Sequence, residues 1–188
     1  MSSNSGYTSS LNELAFHVAE APTAQDRVFA LLLDDADTEF TESRVRELLD
    51  LPKSTVHAAL SSLVRDQLVE SRSVGRTKLY WAHADDPLIA TLKTARAIRR
   101  VRTVIMPVRE QLDLVVLFGS ASRGQDRAGS DVDVLVVAEE KDDVLDELAQ
   151  HQWLQPVVMS ADEHMRLIAE GGTFASEVAH GITVWERR

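Results

Sequence analysis

The sequence predicts an α+β chain with two small domains: a helical domain that carries a β-hairpin, followed by a domain built on a small mixed sheet. Apolar residues recur at helical spacing as far as residue 65, and a short hairpin pattern follows them. From residue 113 onward, short apolar runs alternate with helical stretches. We expect a tail and helix at 1–23, the helical domain at 24–84, a helical linker at 85–112 and the mixed-sheet domain at 113–188.

The composition is that of a globular protein without disulfides. The chain has 188 residues, no cysteine and a hydrophobic share of 44%, which is enough for real cores. Residues 1–10 are polar and no basic stretch leads into an apolar one, so we expect neither a signal peptide nor an anchor. No apolar run approaches the roughly 20 residues that a membrane helix needs. We therefore expect a soluble, cytoplasmic protein without membrane partners.

The net charge of −10 is unevenly distributed along the chain. Residues 1–52 carry 3 basic and 10 acidic groups, and residues 113–188 carry 6 basic and 15 acidic groups. Residues 53–112 between them carry 11 basic and 5 acidic groups, a balance of +6. A basic middle in an acidic chain indicates a local anionic partner rather than general binding of polyanions.

The first half of the chain contains several helical patterns. A first helical face is formed by Leu11, Leu14, Ala15 and Val18, and a second helix is predicted over 26–33. Thr41 is placed to cap a helix that runs to Leu49 and buries Val45, Leu48 and Leu49. Pro52 ends that helix, and another begins near Lys53. Its apolar stripe has a clean helical period and consists of Val56, Ala59, Leu60, Leu63 and Val64.

A basic hairpin follows this helix. Residues 69–73 and 77–81 have strand character, and Gly75 lies at the turn between them. Helix, turn, helix and basic hairpin, in this order, resemble a winged helix-turn-helix domain over about 24–84. The resemblance implies that the second helix enters the major groove of DNA with its N-terminal polar residues first. A helical subdomain with a solvated polar face, or a module that docks protein, remains the alternative.

The resemblance also implies which side chains contact DNA. The expected base or phosphate contacts on the helix are Lys53, Ser54, Thr55 and His57, and Arg65 is expected nearer the DNA backbone. The expected phosphate contacts on the hairpin, which we call the wing, are Arg72, Arg76 and Lys78.

Residues 86–111 predict a long helical stretch that is bent or broken near Pro107. Its apolar residues exceed one narrow face, so it is a candidate for forming the homodimer that reads two DNA half-sites. An ordinary connector that packs on the second domain explains the pattern equally well. In the remaining chain we expect strands at 114–118, 132–137, 154–159 and 182–185, and helices at 142–150, 162–169 and 173–179.

The segment Gly119–Asp133 carries the chemistry of the second domain. Gly119 lets the backbone approach a phosphate, Ser120 and the following amides can donate to phosphate oxygens, and Arg123 can neutralise a triphosphate. Asp131 and Asp133 lie about 7 Å apart at their α-carbons on one face of a strand. Their carboxylates can converge on magnesium, which prefers oxygen ligands.

Residues 115–137 resemble the minimal nucleotidyltransferases of the polymerase-beta-like superfamily. The shared pattern is an apolar strand, Gly119-Ser120, a spacer of ten residues and Asp131-Val132-Asp133. The resemblance covers about residues 97–188 and implies a mixed-sheet fold and transfer of a nucleoside monophosphate from a triphosphate. It implies Asp131 and Asp133 as the catalytic and metal-binding residues for Mg²⁺ or Mn²⁺. The nucleotide-binding residues that it implies are Gly119, Ser120, Arg123 and Ser130.

The chain departs from this family at a third carboxylate, which the resemblance places on the strand after the next helix. The matching stretch, residues 153–160, contains no acid. Asp162 and Glu163 lie past its end, and Glu139 is a weaker candidate. Two functions therefore stay open: a DNA-binding nucleotidyltransferase, with an acceptor that includes small molecules, RNA ends or a protein partner, and a nucleotide-sensing transcription regulator without turnover.

Overall fold

The computed structural model describes residues 23–187, so the helical face predicted at Leu11, Leu14, Ala15 and Val18 lies outside the described residues. The chain forms two compact units that divide between Ile89 and Ala90. This division falls inside the stretch 85–112 that the sequence predicts as a linker. No helix among residues 23–187 is both long and apolar enough to cross a membrane.

Within residues 23–86, the first unit contains three helices and a three-stranded antiparallel sheet. The helices are α1 (Ala24–Asp34), α2 (Glu42–Leu49) and α3 (Lys53–Arg65). The strands are β1 (Phe40–Thr41), β2 (Glu70–Val74) and β3 (Thr77–Trp81), in the order β1-β3-β2. The predicted helix-turn-helix and hairpin are thus confirmed.

Local sequence signals set the ends of these helices. The side chain of Thr41 accepts a hydrogen bond from the Arg44 amide, which confirms the predicted cap of α2. Pro52 occupies the N-cap of α3. The predicted burial of Leu48 is wrong, because this side chain is 44% exposed whereas Val45 is fully buried. The two positions differ by about 60° around the helix, and the core lies on the side of Val45 and Leu49.

The stripe predicted along α3 forms the core of the first unit. Val56, Ala59, Leu60 and Leu63 are buried, and α3 packs against both α1 and α2. Val64, at the margin of the stripe, is half-buried. The opposite face of α3 therefore stays exposed, which leaves its polar side chains accessible.

The second unit is built on a four-stranded sheet. The long helix α4 (Pro87–Ile105) leads into it, and a 3-10 helix (Met106–Gln111) follows, so the predicted break near Pro107 is confirmed. The strands are β4 (Leu112–Leu117), β5 (Val132–Ala138), β6 (Leu154–Met159) and β7 (Ile182–Glu186). The helices are the single turn α5 (Gly119–Ser122), then α6 (Lys141–Leu148), α7 (Ala161–Glu170) and α8 (Thr173–Ala179).

The sheet has the order β6-β5-β4-β7, with β5 and β6 parallel and the other pairs antiparallel. Alternation along β5 sends Val132, Val134 and Val136 to a large core that also contains residues of α4 and α6. Leu135 and Val137 point to the other face, where a smaller cluster includes Val178 of α8. Asp133 shares the face of Leu135, so the smaller cluster borders the candidate site.

Candidate nucleotide and DNA sites

The corner after β4 lies directly against the second carboxylate of the Asp-x-Asp pair. Gly119 has a φ of +69°, and a Cβ added there would overlap the carboxylate of Asp133. The amide of Phe118 donates to the main-chain oxygen of Asp133 at 3.0 Å. Glycine is therefore required at the corner both for its left-handed backbone and for the approach to Asp133.

The two carboxylates have different environments. Asp131 is exposed, just before β5, whereas Asp133 is half-buried. Burial raises the pKa of Asp133 above its usual value, and the neighbouring carboxylates of Asp131 and Glu177 raise it further. Like charges are thus concentrated beside Asp133, and a divalent cation would relieve their repulsion.

The other predicted nucleotide-binding residues lie on the loop 119–130, which consists of the single turn α5 and the residues that follow it. Ser120 is half-buried in the turn of α5, and its carbonyl accepts from the amides of Arg123 and Gln125. The exposed Arg123 side chain donates to the Gln125 amide oxygen at 3.1 Å. Ser130 is exposed, and its hydroxyl accepts from the Arg127 amide at 3.0 Å. The structure thus places these residues on one loop beside the aspartates.

Gln155 occupies the position beside Asp133 on the neighbouring strand. In the parallel pair of β5 and β6, Asp133 is the register partner of Gln155. Partners in adjacent strands present their side chains on the same face. The strand that the family resemblance assigns to the third carboxylate therefore presents an exposed, uncharged amide there.

The three acids considered from the sequence lie at the other end of the sheet from Asp133, and Asp162 and Glu163 lie in the first turn of α7. Glu139 follows Asp133 by six residues along β5, a separation of about 20 Å. Asp162 and Glu163 follow β6, whose last residue pairs with Val137. Because β5 and β6 are parallel, residues after β6 lie near the end of β5 and not near its beginning.

Glu163 has a structural role at the start of α7. It forms a capping box with Ser160, and Lys141 donates to both of its carboxylate oxygens at 2.9 and 2.8 Å. These hydrogen bonds, that of Lys141 first, lower the pKa of Glu163 to about 2. The carboxylate is therefore already satisfied as a helix cap.

Glu177 is the acid that sequence reasoning missed. It lies on α8 between Phe174, whose ring meets that of Phe118 edge-on at 5.5 Å, and the buried Val178. Positions i, i+3 and i+4 lie on one side of a helix, so the exposed Glu177 is at the margin of the face that α8 packs against the sheet. That spacing was visible in the sequence, but nothing in it indicated that α8 packs beside Asp133.

The donors at the corner suit a hard cation such as Mg²⁺ or Mn²⁺. Asp131 and Asp133 offer carboxylate oxygens, and the crowded negative charge around Asp133 favours a positive partner. Within residues 23–187 no group of three or more His, Cys, Asp or Glu side chains is arranged to hold a metal by itself. The remaining ligands would have to come from water and from the phosphates of a nucleotide.

In the first unit, the N-terminal turn of α3 presents the predicted helix contacts. Lys53, Ser54 and His57 are exposed, and Thr55 is half-buried. His57 Nδ1 lies 3.0 Å from a carboxylate oxygen of Glu42. Arg65, at the other end of α3, donates to the Ser62 hydroxyl at 2.8 Å and lies 3.7 Å from Asp66.

The wing brings the other predicted contacts together, but one of them is already paired. Arg72 makes a two-pronged ion pair with Glu39, with donor to acceptor distances of 2.7 and 2.8 Å. Arg76 is exposed beside Gly75 at the tip. The ammonium of Lys78 lies 5.2 Å from the centre of the Tyr80 ring. No sequence pattern indicates the pairing with Glu39, which is 33 residues away from Arg72.

Comparisons with known proteins agree with this division of the chain. Residues 105–168 match the nucleotidyltransferase domain family, and residues 26–73 match the IclR helix-turn-helix domain. No curated protein matches the chain.

Three solved structures resemble parts of the chain. Reduced HlyU from Vibrio cholerae is 20% identical with a TM-score of 0.36, over 50% of this chain and 93% of its own. A candidate nucleotidyltransferase from Sulfolobus solfataricus is 20% identical with a TM-score of 0.38, over 52% of this chain and 87% of its own. A toxin-antitoxin structure with AMP-PNP is 18% identical with a TM-score of 0.33, over 48% of this chain and 74% of its own.

The family matches fall on the two regions whose elements and side chains are described above. The helix-turn-helix match spans α1 to the middle of β2, and the nucleotidyltransferase match begins at the last residue of α4 and reaches into α7. The chain therefore combines an IclR-type helix-turn-helix DNA-binding domain with a nucleotidyltransferase domain.

Proposed function

We propose that this protein is a DNA-binding regulator whose nucleotidyltransferase domain binds a nucleoside triphosphate with Mg²⁺ or Mn²⁺ and senses it without efficient transfer. The observation that carries this proposal is the pairing of Gln155 with Asp133. An uncharged amide lies beside Asp133 on the strand to which the family resemblance assigns an acid, so Asp131 and Asp133 remain to hold a cation. Binding of a metal-bound triphosphate needs fewer protein ligands than transfer does, because the phosphates supply oxygens themselves.

The corner supplies the groups for this binding. Asp131 and Asp133 would hold the cation, which, when bound, neutralises the phosphates. Ser120 and the loop amides would donate hydrogen bonds to phosphate oxygens, and Arg123 would exchange its Gln125 partner for a phosphate. Gly119 keeps the main chain close enough for both sets of groups to act on one ligand.

The first unit would bind DNA through α3 and the wing. The exposed residues at the start of α3 would reach base edges and phosphates, and Arg76 and Lys78 would contact phosphates. Reading of two half-sites implies a homodimer. The apolar residues of α4 that suggested it as the interface, Val101, Val104 and Ile105 among them, are buried in the core of the second unit, as expected for a connector that packs on this domain. Sedimentation of the full chain with and without a palindromic DNA duplex tests this point.

The sensing proposal requires that the nucleotide change the affinity for DNA. Gel shifts with the promoter region of the gene should therefore give different midpoints with and without magnesium and a triphosphate. Linkage demands that the DNA change the nucleotide affinity by the same factor. Asp131→Asn should abolish the difference while leaving nucleotide-free DNA binding unchanged. Equal midpoints under all conditions for the wild-type protein would reject sensing.

A second function, nucleotidyl transfer, is favoured by Glu177. In this reaction an acceptor hydroxyl oxygen bonds to the α-phosphorus, the bond to the bridging oxygen of the β-phosphate breaks, and pyrophosphate leaves with the electron pair. The hydroxyl proton passes to a base. The charge of Glu177 raises the pKa of Asp133, after burial and Asp131, which supports Glu177 as a third acid near the corner, although it comes from α8 and not from β6.

Labelled triphosphate separates the two functions. Transfer of α-label to protein, RNA or a small-molecule panel that is lost in both Asp131→Asn and Glu177→Gln would establish transfer with Glu177 as the third acid. Glu170→Gln, on exposed α7, is the matched control and should behave like the wild-type protein. Saturable binding without label transfer supports sensing.

A further inference from the structure

Lys93 is the one charged or polar residue that is buried among residues 23–187, with 3% of its surface exposed. Its ammonium donates to the main-chain oxygen of Asp126 and lies 3.7 Å from the Asp126 carboxylate. A buried ammonium group costs free energy unless it is paired, so the pairing must persist in the folded protein. Its partner lies on the loop between α5 and β5, which carries the predicted phosphate-binding side chains.

Two further contacts attach the same loop to α4. Gly124 is buried with a φ of +67°, and a Cβ there would overlap the main chain of Ala90. The Thr94 hydroxyl donates to the main-chain oxygen of Ser122 at 3.4 Å. Ala90, Lys93 and Thr94 are spaced i, i+3 and i+4, so one face of α4 contacts the loop at three points.

The Asp126 carboxylate is held mainly by charge. Its Oδ1 is buried and accepts no hydrogen bond among the described residues, and Arg96 lies 3.9 Å from its other oxygen. The directed hydrogen bond of Lys93 goes to the main-chain oxygen instead. Lys93 therefore fixes the path of the backbone, which decides where the loop amides, Arg123 and Ser130 point.

We propose that Lys93 is a positioning residue that holds the loop 119–130 in the conformation that receives the triphosphate. This inference rests on the proposed nucleotide binding. Lys93 itself does not touch the phosphates, because its ammonium is buried against Asp126. It keeps the loop ordered in the nucleotide-free protein, which lowers the entropic cost of binding the nucleotide.

The first measurement is hydrogen exchange on the nucleotide-free full chain. Lys93→Met should speed exchange in peptides that cover 119–130 by about tenfold, the effect of losing one hydrogen bond from a charged group. Exchange in β4 and β5 should change little. Lys141→Met, which removes the exposed ion pair with Glu163 in the same unit, is the matched control and should leave the loop unchanged.

The second measurement separates the loop from the metal site. Lys93→Met should weaken binding of the manganese–ATP complex by about tenfold or more, while binding of Mn²⁺ alone changes less than about twofold. Asp126→Asn keeps the main-chain acceptor and should have a smaller effect than Lys93→Met. Lys93→Leu, which also has no hydrogen-bond donor for Asp126, serves in the same way where the methionine variant fails to fold.

The outcomes are distinct. Unchanged loop exchange, or wild-type affinity for manganese–ATP in the folded variant, would overturn the proposal for Lys93. So would a uniform rise of exchange across the whole unit, since this indicates a general contribution to stability. If the wild-type protein itself binds no nucleotide, the proposed function fails, whereas the exchange experiment still decides whether Lys93 orders the loop.

Discussion

Gln155 and Asp133 are register partners in the parallel strands β6 and β5, so an amide and a carboxylate lie side by side at the entrance to the candidate site. A carboxylate at position 155 would complete the set of three acids that the family resemblance implies. The chain departs from that pattern on β6, where Gln155 is the side chain beside Asp133, and a substitution there can test the departure.

Gln155→Glu adds one negative charge with almost no change of shape. When a chelator removes metal ions, the substitution should lower the melting temperature, because the new carboxylate and that of Asp133 repel each other. Magnesium should then stabilise the variant by more degrees than it stabilises the wild-type protein. We expect label transfer to rise at least about tenfold, since a carboxylate that acts in metal-assisted transfer contributes more than 1.4 kcal/mol. Equal magnesium stabilisation of variant and wild type would contradict the placement of residue 155 at the site.

Gly119→Ala should damage the site more than its backbone conformation alone explains. An added methyl group would both strain a residue at φ +69° and overlap the Asp133 carboxylate. Gly171→Ala, at the C-terminal end of α7 and outside the loop, is the matched control, because its φ is +68° and nothing lies within 4 Å of the added Cβ. We expect each to lose about 1 kcal/mol or more in chemical denaturation. Gly119→Ala alone should also lose metal and nucleotide binding. Equal nucleotide affinities of the two variants would refute the close contact.

As the pH is lowered, metal binding should begin to weaken at a higher pH than it would if the pKa of Asp133 were that of an ordinary aspartate. Metal competes with the proton on Asp133, whose pKa lies above 3.8 because of burial and then of Asp131 and Glu177. Without metal, the raised pKa means that the contribution of Asp133 to folding stability falls as pH rises from 3.8 through that pKa. Calorimetric titrations with Mn²⁺ at a series of pH values give the midpoint. Glu177→Gln should lower this midpoint pH, but not to that of an ordinary aspartate, because the effects of burial and of Asp131 remain. An unchanged midpoint would show that Glu177 does not act on Asp133.

The capping carboxylate of α7 predicts a different pH dependence. The pKa of Glu163 is lowered from 4.5 to about 2, so its stabilising contribution is present above pH 4.5 and is lost as pH falls towards 2. Thermal melts should therefore show a gap between wild type and Glu163→Gln at pH 7 that closes between pH 4.5 and 2. Nucleotide affinity at pH 7 should not change. A loss of nucleotide binding would return Glu163 to the candidate site.

The ion pair of Arg72 with Glu39 predicts that two substitutions, one at Glu39 and one at Arg76 on the wing, change DNA binding in opposite directions. Glu39→Gln removes the charge that holds Arg72 and should strengthen DNA binding, because Arg72 then becomes available for a phosphate. Arg76→Ala should weaken it and reduce the salt dependence by about one phosphate contact. Fluorescence anisotropy with one duplex at several salt concentrations measures both. Weaker DNA binding by Glu39→Gln would mean that the ion pair orders the wing for DNA.

Local pattern predicted most of the fold. The period of α3, the cap at Thr41, the break near Pro107 and the alternation of the second half all depend on neighbours close in sequence, and the structure confirms them. The predicted burial of Leu48 is wrong because apolar spacing gives the direction of the buried face of a helix only to within about 60°. The exposure of Leu48 depends on which side of α2 the other helices pack against.

The candidate site was predicted where it is contiguous in sequence and missed where it depends on packing. Gly119 and Asp133 belong to one recognisable segment, and the structure brings them together. The proximity of Glu177 depends on α8 packing beside the corner, and the position of Gln155 depends on the parallel register of β6. In the sequence Lys93 is one of several basic residues of a helical stretch, and only its burial reveals its contact with the loop.

Calorimetry with one triphosphate and Mn²⁺ tests the central claim most directly, using the wild-type protein, Asp131→Asn and Asp133→Asn. Wild type should bind the triphosphate only when the metal is present, and each substitution should weaken binding by about tenfold or more. Wild-type binding that is independent of metal, or undiminished in both variants, would contradict the claim that these two carboxylates hold a cation on a nucleotide.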